Sequence, residues 1–301
     1  MVTPLAGAIK LRRPLDLQRT LAPLSHGHGD PTLRLQPGEA WRATRTPAGP
    51  ATVQLRLVGQ ELQVEAWGEG AAWAAERVPD LVGENDRPEL LIPQHSFIAD
   101  LQRRLPGLRL PRSRAVFETL VPVIIEQKVI GLEARRAYRA LLRRFSEPAP
   151  GPLPLLLPPA PERIANAPYW EFHPLGIERR RAETLIRAAR AARRLEEASE
   201  MAPAAALARV TAVPGIGPWS AGHVGLVALG DPDAIPLGDY HLPHLVSWLF
   251  TGERRGSDER MLELLAPYAG QRGRVLTLLL NGAGAAPRRG PRLPLRNLAE
   301  S

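Results

Sequence analysis

From Ala51 to Trp67 the chain reads ATVQLRLVGQELQVEAW, alternating apolar and polar positions on both sides of Gly59–Gln60. A period of two places every second side chain on one face of a strand, so the stretch predicts a β-hairpin. AWRATRT (Ala40–Thr46) fits a third strand, while DLQRTLAPL and AAWAAERVPDLV carry the three-and-four spacing of short helices. The first part of the chain therefore predicts an α+β unit, an antiparallel sheet with helices, over residues 1–95. Trp41, Trp67 and Trp73 read as core or sheet-face aromatics.

From Ser96 the pattern turns almost wholly helical, and residues 96–286 predict an all-α region. SFIADLQRRL reads as a helix, and RAVFETLVPVIIEQKV as another, with Pro122 expected to kink it. LEARRAYRALLRRF follows as a strongly basic helix. Pro148 to Pro161 has no periodicity and predicts a surface linker. IERRRAETLIRAARAARRLEEA predicts a third long helix, AAALARV a short one, and DYHLPHLVSWLF and GQRGRVLTLLLNGA two more. Residues 287–301, with PRRGPRLPLRN, read as a basic, disordered tail.

Composition changes this picture in two ways. Zero cysteines among 301 residues exclude disulfides, thiolate metal sites and iron–sulfur clusters. No run approaches a membrane span, and the opening MVTPLAGAIKLRRPL lacks the ordered regions of a signal peptide, so a cytoplasmic location is expected. Charge is uneven within a net +8: residues 1–100 hold 10 basic and 12 acidic side chains, residues 101–150 hold 11 and 4. A basic segment beside a neutral one suits a polyanion such as DNA or RNA. Arginine accounts for 37 of the 39 basic residues, which GC-rich coding also produces.

The chemistry concentrates in VPGIGPWSAGHV, Val213 to Val224. A turn from Thr211 to Gly217 leads into a helix with Pro218 at its first position, where a missing N–H costs nothing. Gly215 and Gly217 allow positive φ and close approach of a bulky group, and the bare N–H groups of the next helix form an anion site suited to phosphate.

Helix, VPGIG, helix, and then Asp239 in PLGDYHLPHLV together resemble the helix–hairpin–helix superfamily of base-excision DNA glycosylases. GLRLPRSRAVFETLVPVIIEQKV is similar to that family's entry helix and Gln-containing loop, and LGIERRRAETLIRAAR to its Leu-Gly turn and basic helix. The first hundred residues are similar to the N-terminal domain of the bacterial 3-methyladenine DNA glycosylase II branch, so the resemblance runs from about residue 14 to 285.

The resemblance implies a monofunctional enzyme that flips an alkylated purine out of duplex DNA and hydrolyses its N-glycosidic bond, acting as a monomer with no membrane partner and no required cofactor. It makes Asp239 the catalytic carboxylate, facing a sugar with oxocarbenium character; as an Asp before a helix it is also an N-cap. Superfamily members that cut the backbone carry a lysine after the hairpin, and Trp219 falls at that position. An indole forms no imine; it offers a π face to a cationic base, or packs as a core aromatic. Tyr240 matches a pocket aromatic. His223 lies where the bacterial member has tyrosine, and either reads a base edge or packs its helix. Gln127 and Lys128 fall in the loop that enters the duplex, Lys128 as wedge or as plain surface lysine. Gly215, Gly217 and Pro218 fall on the DNA-binding hairpin. The main-chain carbonyls of Thr211, Val213 and Gly215 match a site for a monovalent cation, sodium or potassium. Asp231 and Asp233 read as turn residues. Two alternatives stand beside this reading: a glycosylase for a different damaged base such as an oxidised purine, and a non-catalytic DNA-binding protein that keeps the hairpin alone.

Overall fold

The structure, a computed structural model, describes residues 3–284; the tail at 287–301 lies outside the described residues. Strands β1 (Leu5–Lys10), β2 (Leu33–Gln36), β3 (Glu39–Thr46), β4 (Gly49–Val58) and β5 (Glu61–Trp67) form an antiparallel sheet in the order β1-β5-β4-β3-β2. The hairpin turns at Gly59, with φ +61, and pairs Val58 with Glu61. β1 and β2 escape the sequence pattern for a physical reason. β1 is a largely exposed edge strand and β2 has four residues, so neither carries a clear alternation.

Helices α1 (Leu17–Leu21), α2 (Ala71–Glu76) and α3 (Val78–Leu81) pack on one face of the sheet around Leu21, Leu55, Leu62 and Val78. The other face is covered too, and β4 is buried at Ala51, Val53 and Leu55 but also at Thr52 and Gln54. Part of that cover is the Pro148–Pro161 stretch. Leu155 and Leu157 are buried in one cluster with Ala43, and Trp41, which stacks on Trp67 at 5.4 Å, packs against it. The surface linker expected here is instead a strap over the sheet. Its lack of periodicity reflects irregular backbone, not exposure.

Helices α4 (Ser96–Arg104), α5 (Val116–Glu126), α6 (Gly131–Phe145), α7 (Pro161–Ala165), α8 (Arg179–Arg190), α9 (Ala192–Glu196), α10 (Pro203–Thr211), α11 (Pro218–Val224), α12 (Leu242–Thr251), α13 (Asp258–Leu265) and α14 (Arg272–Gly282) complete the chain. α5 runs unbroken through Pro122. The predicted third long helix divides at Ala191 into α8 and α9, followed by a single-turn 3-10 segment.

Two cores divide these helices. One gathers α5, α6, α8, α10 and α11 around Leu120, Ile124, Leu141 and Leu185; the other gathers α4, α12, α13 and α14 around Ile98, Val246, Leu265 and Leu279. The chain crosses between them at residues 230–241, and the candidate site lies at that crossing.

The charge argument needs correcting in one respect. Arg109 pairs with Glu84 at 2.5 Å, both buried, and Arg114 pairs with Asp80 at 2.6 Å. Arg103 and Arg104 pair with Asp100, and Arg144 with Glu171. Much of the basic excess in 101–150 is therefore answered internally, in part by the acidic side chains of the first hundred residues.

Candidate active site

α10 and α11 are joined by the six residues Ala212–Gly217. The two glycines of this turn do different work. Gly215 has φ +98, and a Cβ there would lie 2.3 Å from Thr184 Oγ1 on α8, so the position needs glycine for both backbone and packing. Gly217 has φ −105 and is extended; a Cβ there would meet nothing within 4 Å. Positive φ is thus confined to Gly215, while Gly217 leaves the start of α11 bare. Ile216 N donates to Val213 O at 3.0 Å, and Arg187 Nε donates to Pro214 O at 3.1 Å. Arg187, Arg190, Arg194 and Arg209 line a groove of about 320 Å³ that reaches Val213 and Pro214.

Gln127 reaches this hairpin rather than open solvent. Its Nε2 donates to Gly215 O and to Ser220 Oγ, each at 3.0 Å, which ties the loop after α5 to the turn. Lys128 follows at φ +56, exposed and with no recorded partner among the described residues. A non-glycine residue in the left-handed region stores strain of the order of 1 kcal/mol, and such strain clusters at functional loops.

Asp239 lies three residues before α12. Its Oδ1 accepts from His241 N at 2.7 Å and from Leu242 N at 2.9 Å, and its Oδ2 accepts from Trp219 Nε1 at 2.9 Å. Burial alone would raise its pKa; the indole and the two backbone donors outweigh it, and the carboxyl is held below the usual carboxylate range. The side chain that the sequence offers as a π platform therefore also acts through its edge. Its ring meets His223 edge-on, with centroids 4.6 Å apart at 71°.

Glycines let the two cores close on this loop. A Cβ on Gly222 of α11 would lie 2.4 Å from Ile235 O, and one on Gly273 of α14 would lie 2.5 Å from Ala234 O. Gly238 N donates to Asp258 Oδ2 at 2.7 Å. Asp231 accepts from Asp233 N within the turn, while Asp233 accepts from Arg272 N and Nε and so ties the turn to the start of α14.

Tyr240 does not join the group. It is 76% exposed and lies against His241 and His244. His223 does join: its Nε2 is buried without a hydrogen-bond partner, and burial holds its pKa below the usual histidine range. Of the three carbonyls proposed for a cation, Val213 O and Gly215 O each already accept one bond and keep a second lone pair.

Two side chains absent from the sequence reading, His26 and Glu126, also belong to this neighbourhood. His26 Nδ1 is 3.6 Å from Glu126 Oε1, and Glu126 directly precedes the Gln127 that bonds the hairpin. No spacing in the sequence signals this, because His26 lies in an irregular loop a hundred residues away.

Residues 121–269 match the profile of the family described as HhH-GPD superfamily base excision DNA repair protein, a span that holds the hairpin and Asp239 together. The chain belongs to that superfamily. A Bacillus subtilis protein, provisionally named a DNA-3-methyladenine glycosylase, is 26% identical over 162 residues, covering 52% of this chain and 55% of its own length. The chain thus spans about half of that curated relative. In fold, the protein is similar to the 3-methyladenine DNA glycosylase from Archaeoglobus fulgidus, with a TM-score of 0.76 at 24% identity over 91% of this chain and 97% of the other. It is also similar to a Clostridium acetobutylicum 8-oxoguanine glycosylase/lyase in complex with double-stranded DNA, with a TM-score of 0.70 at 12% identity over 93% and 97%.

Proposed function

We propose that the protein is a monofunctional DNA glycosylase that removes alkylated purines, such as 3-methyladenine and 7-methylguanine, from duplex DNA. The observation that carries this reading is Asp239, an ionised carboxylate fixed by three donors at the junction of the two helical cores. As the N-glycosidic bond breaks, the sugar gains positive charge, and a fixed carboxylate stabilises it and orients the attacking water. Trp219 supplies no amine for an imine. The chain's two lysines are Lys10, on the edge strand β1, and Lys128, on the loop after α5. The hairpin at Gly215–Pro218 receives a DNA phosphate, and the carbonyls of Thr211, Val213 and Gly215 hold the monovalent cation that offsets charge beside it. Lys128 fills the gap left by the flipped nucleotide.

Duplexes carrying a single 7-methylguanine test the reaction. Excision should leave an intact abasic site, with strand breaks only after hot alkali, and borohydride should trap no protein–DNA adduct. A trapped adduct overturns the monofunctional assignment. Tight binding of the damaged duplex with no base released would favour the non-catalytic reading. Lys128→Ala should slow excision from duplex more than from single strand, since only the duplex has a gap to fill; equal losses would make Lys128 a bystander.

A further inference from the structure

His26 lies in the loop before β2, Glu126 at the end of α5 and His223 on α11, where its ring meets the Trp219 that bonds Asp239. The loop that carries His26 is anchored by Asp30, which is buried and accepts from His26 N at 2.8 Å, from Thr32 N at 2.9 Å and from Thr32 Oγ1 at 2.8 Å. The His26 ring stands edge-on to the buried Tyr138, with centroids 5.0 Å apart. Held in this way, its Nδ1 lies 3.6 Å from Glu126 Oε1, too far for a hydrogen bond but within ion-pair range.

Glu126 ends α5, directly before the Gln127 that is locked to the hairpin. Its side chain is 33% exposed, so it is confined without being sealed from an incoming group. No recorded donor bonds to its carboxylate among the described residues. His223 Nε2 completes the wall, buried and also without a partner. Asp239 bonds Trp219, whose ring meets His223 on α11, and Glu126 ends α5 beside the Gln127 that bonds Ser220 of the same α11. A purine whose glycosidic carbon faced Asp239 would thus sit near the end of α5.

Alkylation at N3 or N7 leaves a purine nucleotide with a delocalised positive charge until the base departs. A second carboxylate near that ring attracts the cation more than a neutral base. We propose that Glu126, directed by His26, is the specificity-determining residue that selects cationic, N-alkylated purines over neutral ones. His26 acts as a positioning residue. The proposal rests on the glycosylase reading above.

Single-turnover excision of 7-methylguanine and of neutral hypoxanthine from otherwise identical duplexes tests it. Glu126→Gln should slow 7-methylguanine excision about tenfold or more while leaving hypoxanthine unmoved, because only the charged ring loses an attraction. Glu126→Asp should restore most of the 7-methylguanine rate. His26→Ala should lower the ratio of the two rates by a smaller factor at unchanged affinity for an abasic duplex. An unchanged 7-methylguanine rate in Glu126→Gln overturns the proposal, as does an Asp variant as slow as the Gln one. A larger loss on hypoxanthine also overturns it and makes Glu126 a proton donor to a neutral leaving base. A parent protein that binds abasic duplex but excises neither base overturns the glycosylase reading itself, and this assignment with it.

Discussion

Two carboxylates in this molecule receive the backbone N–H groups of a helix start, and they titrate in opposite directions. Glu196, at the end of α9, accepts from Val116 N and Phe117 N at the start of α5, both at 2.8 Å, yet its pKa is pushed up to about 7. Asp239 accepts from His241 N and Leu242 N before α12, and its pKa is pulled down. Burial raises both, and both gain two backbone donors and the favourable end of a helix dipole. What differs is the remainder. Glu196 is enclosed, with the charge of Glu118 nearby; Asp239 has a third donor in Trp219 and the ring of His223 beside it. A helix N-terminus alone therefore does not make a working anion. It takes a further donor and a partly open face.

The largest effect expected from this contrast is on catalysis. Asp239→Asn keeps size and most capping ability and removes only the charge, so excision of 7-methylguanine should fall by roughly three orders of magnitude, about 4 kcal/mol of barrier. Affinity for abasic duplex should stay level or rise slightly, since one charge repelling the phosphates is gone. Full activity in the Asn variant would reduce Asp239 to a cap and dissolve the contrast.

Glu196 tests the other side through stability. Its folded pKa lies above its unfolded value, so the folded state holds the extra proton between about pH 4.5 and 7. The stabilisation is fully present below that window and is lost as pH rises through it. A shift of this size corresponds to roughly 3 kcal/mol. Glu196→Gln mimics the protonated side chain and cannot titrate, so in urea unfolding the parent should come close to the variant near pH 4.5 and fall about that much below it by pH 7.5. A pH-independent difference would mean that the fold leaves the Glu196 pKa unshifted.

The sequence made these two residues unequal for an informative reason. Asp239 stands at a recognisable distance from VPGIG, whereas Glu196 sits in LEEASE, a polar run that reads as a solvated helix end. Only the break at Ala191 turns Glu196 inward against α5. Periodicity captured the hairpin at Gly59 and the long helices, because there local pattern and tertiary contact agree. It failed at the edge strand β1 and at the strap carrying Leu155 and Leu157, where the outcome depends on distant surfaces. The site divides along the same line. The hairpin, Trp219 and Asp239 form a local motif; Gln127 gripping Gly215 O, and His26 facing Glu126, are pairings across 88 and 100 residues that no window of sequence contains.

The smallest effect expected isolates the third donor. Trp219→Phe keeps an aromatic face for the base and removes the indole N–H that bonds Asp239 Oδ2. Asp239 then retains its burial, which raises its pKa, and its two backbone donors, which lower it, so its pKa should rise from its depressed value. The enzyme needs the ionised form, and activity is lost as pH falls through that pKa. The acid limb of kcat/KM should therefore move to higher pH by about one unit, the change expected from one charge-assisted hydrogen bond of roughly 1.4 kcal/mol. Above the limb the variant should approach the parent, apart from a few-fold loss from altered packing. A loss uniform across pH, with the limb in place, would mean that Trp219 serves the base and not the carboxylate. The contrast between Asp239 and Glu196 would then rest on partial exposure and His223 alone.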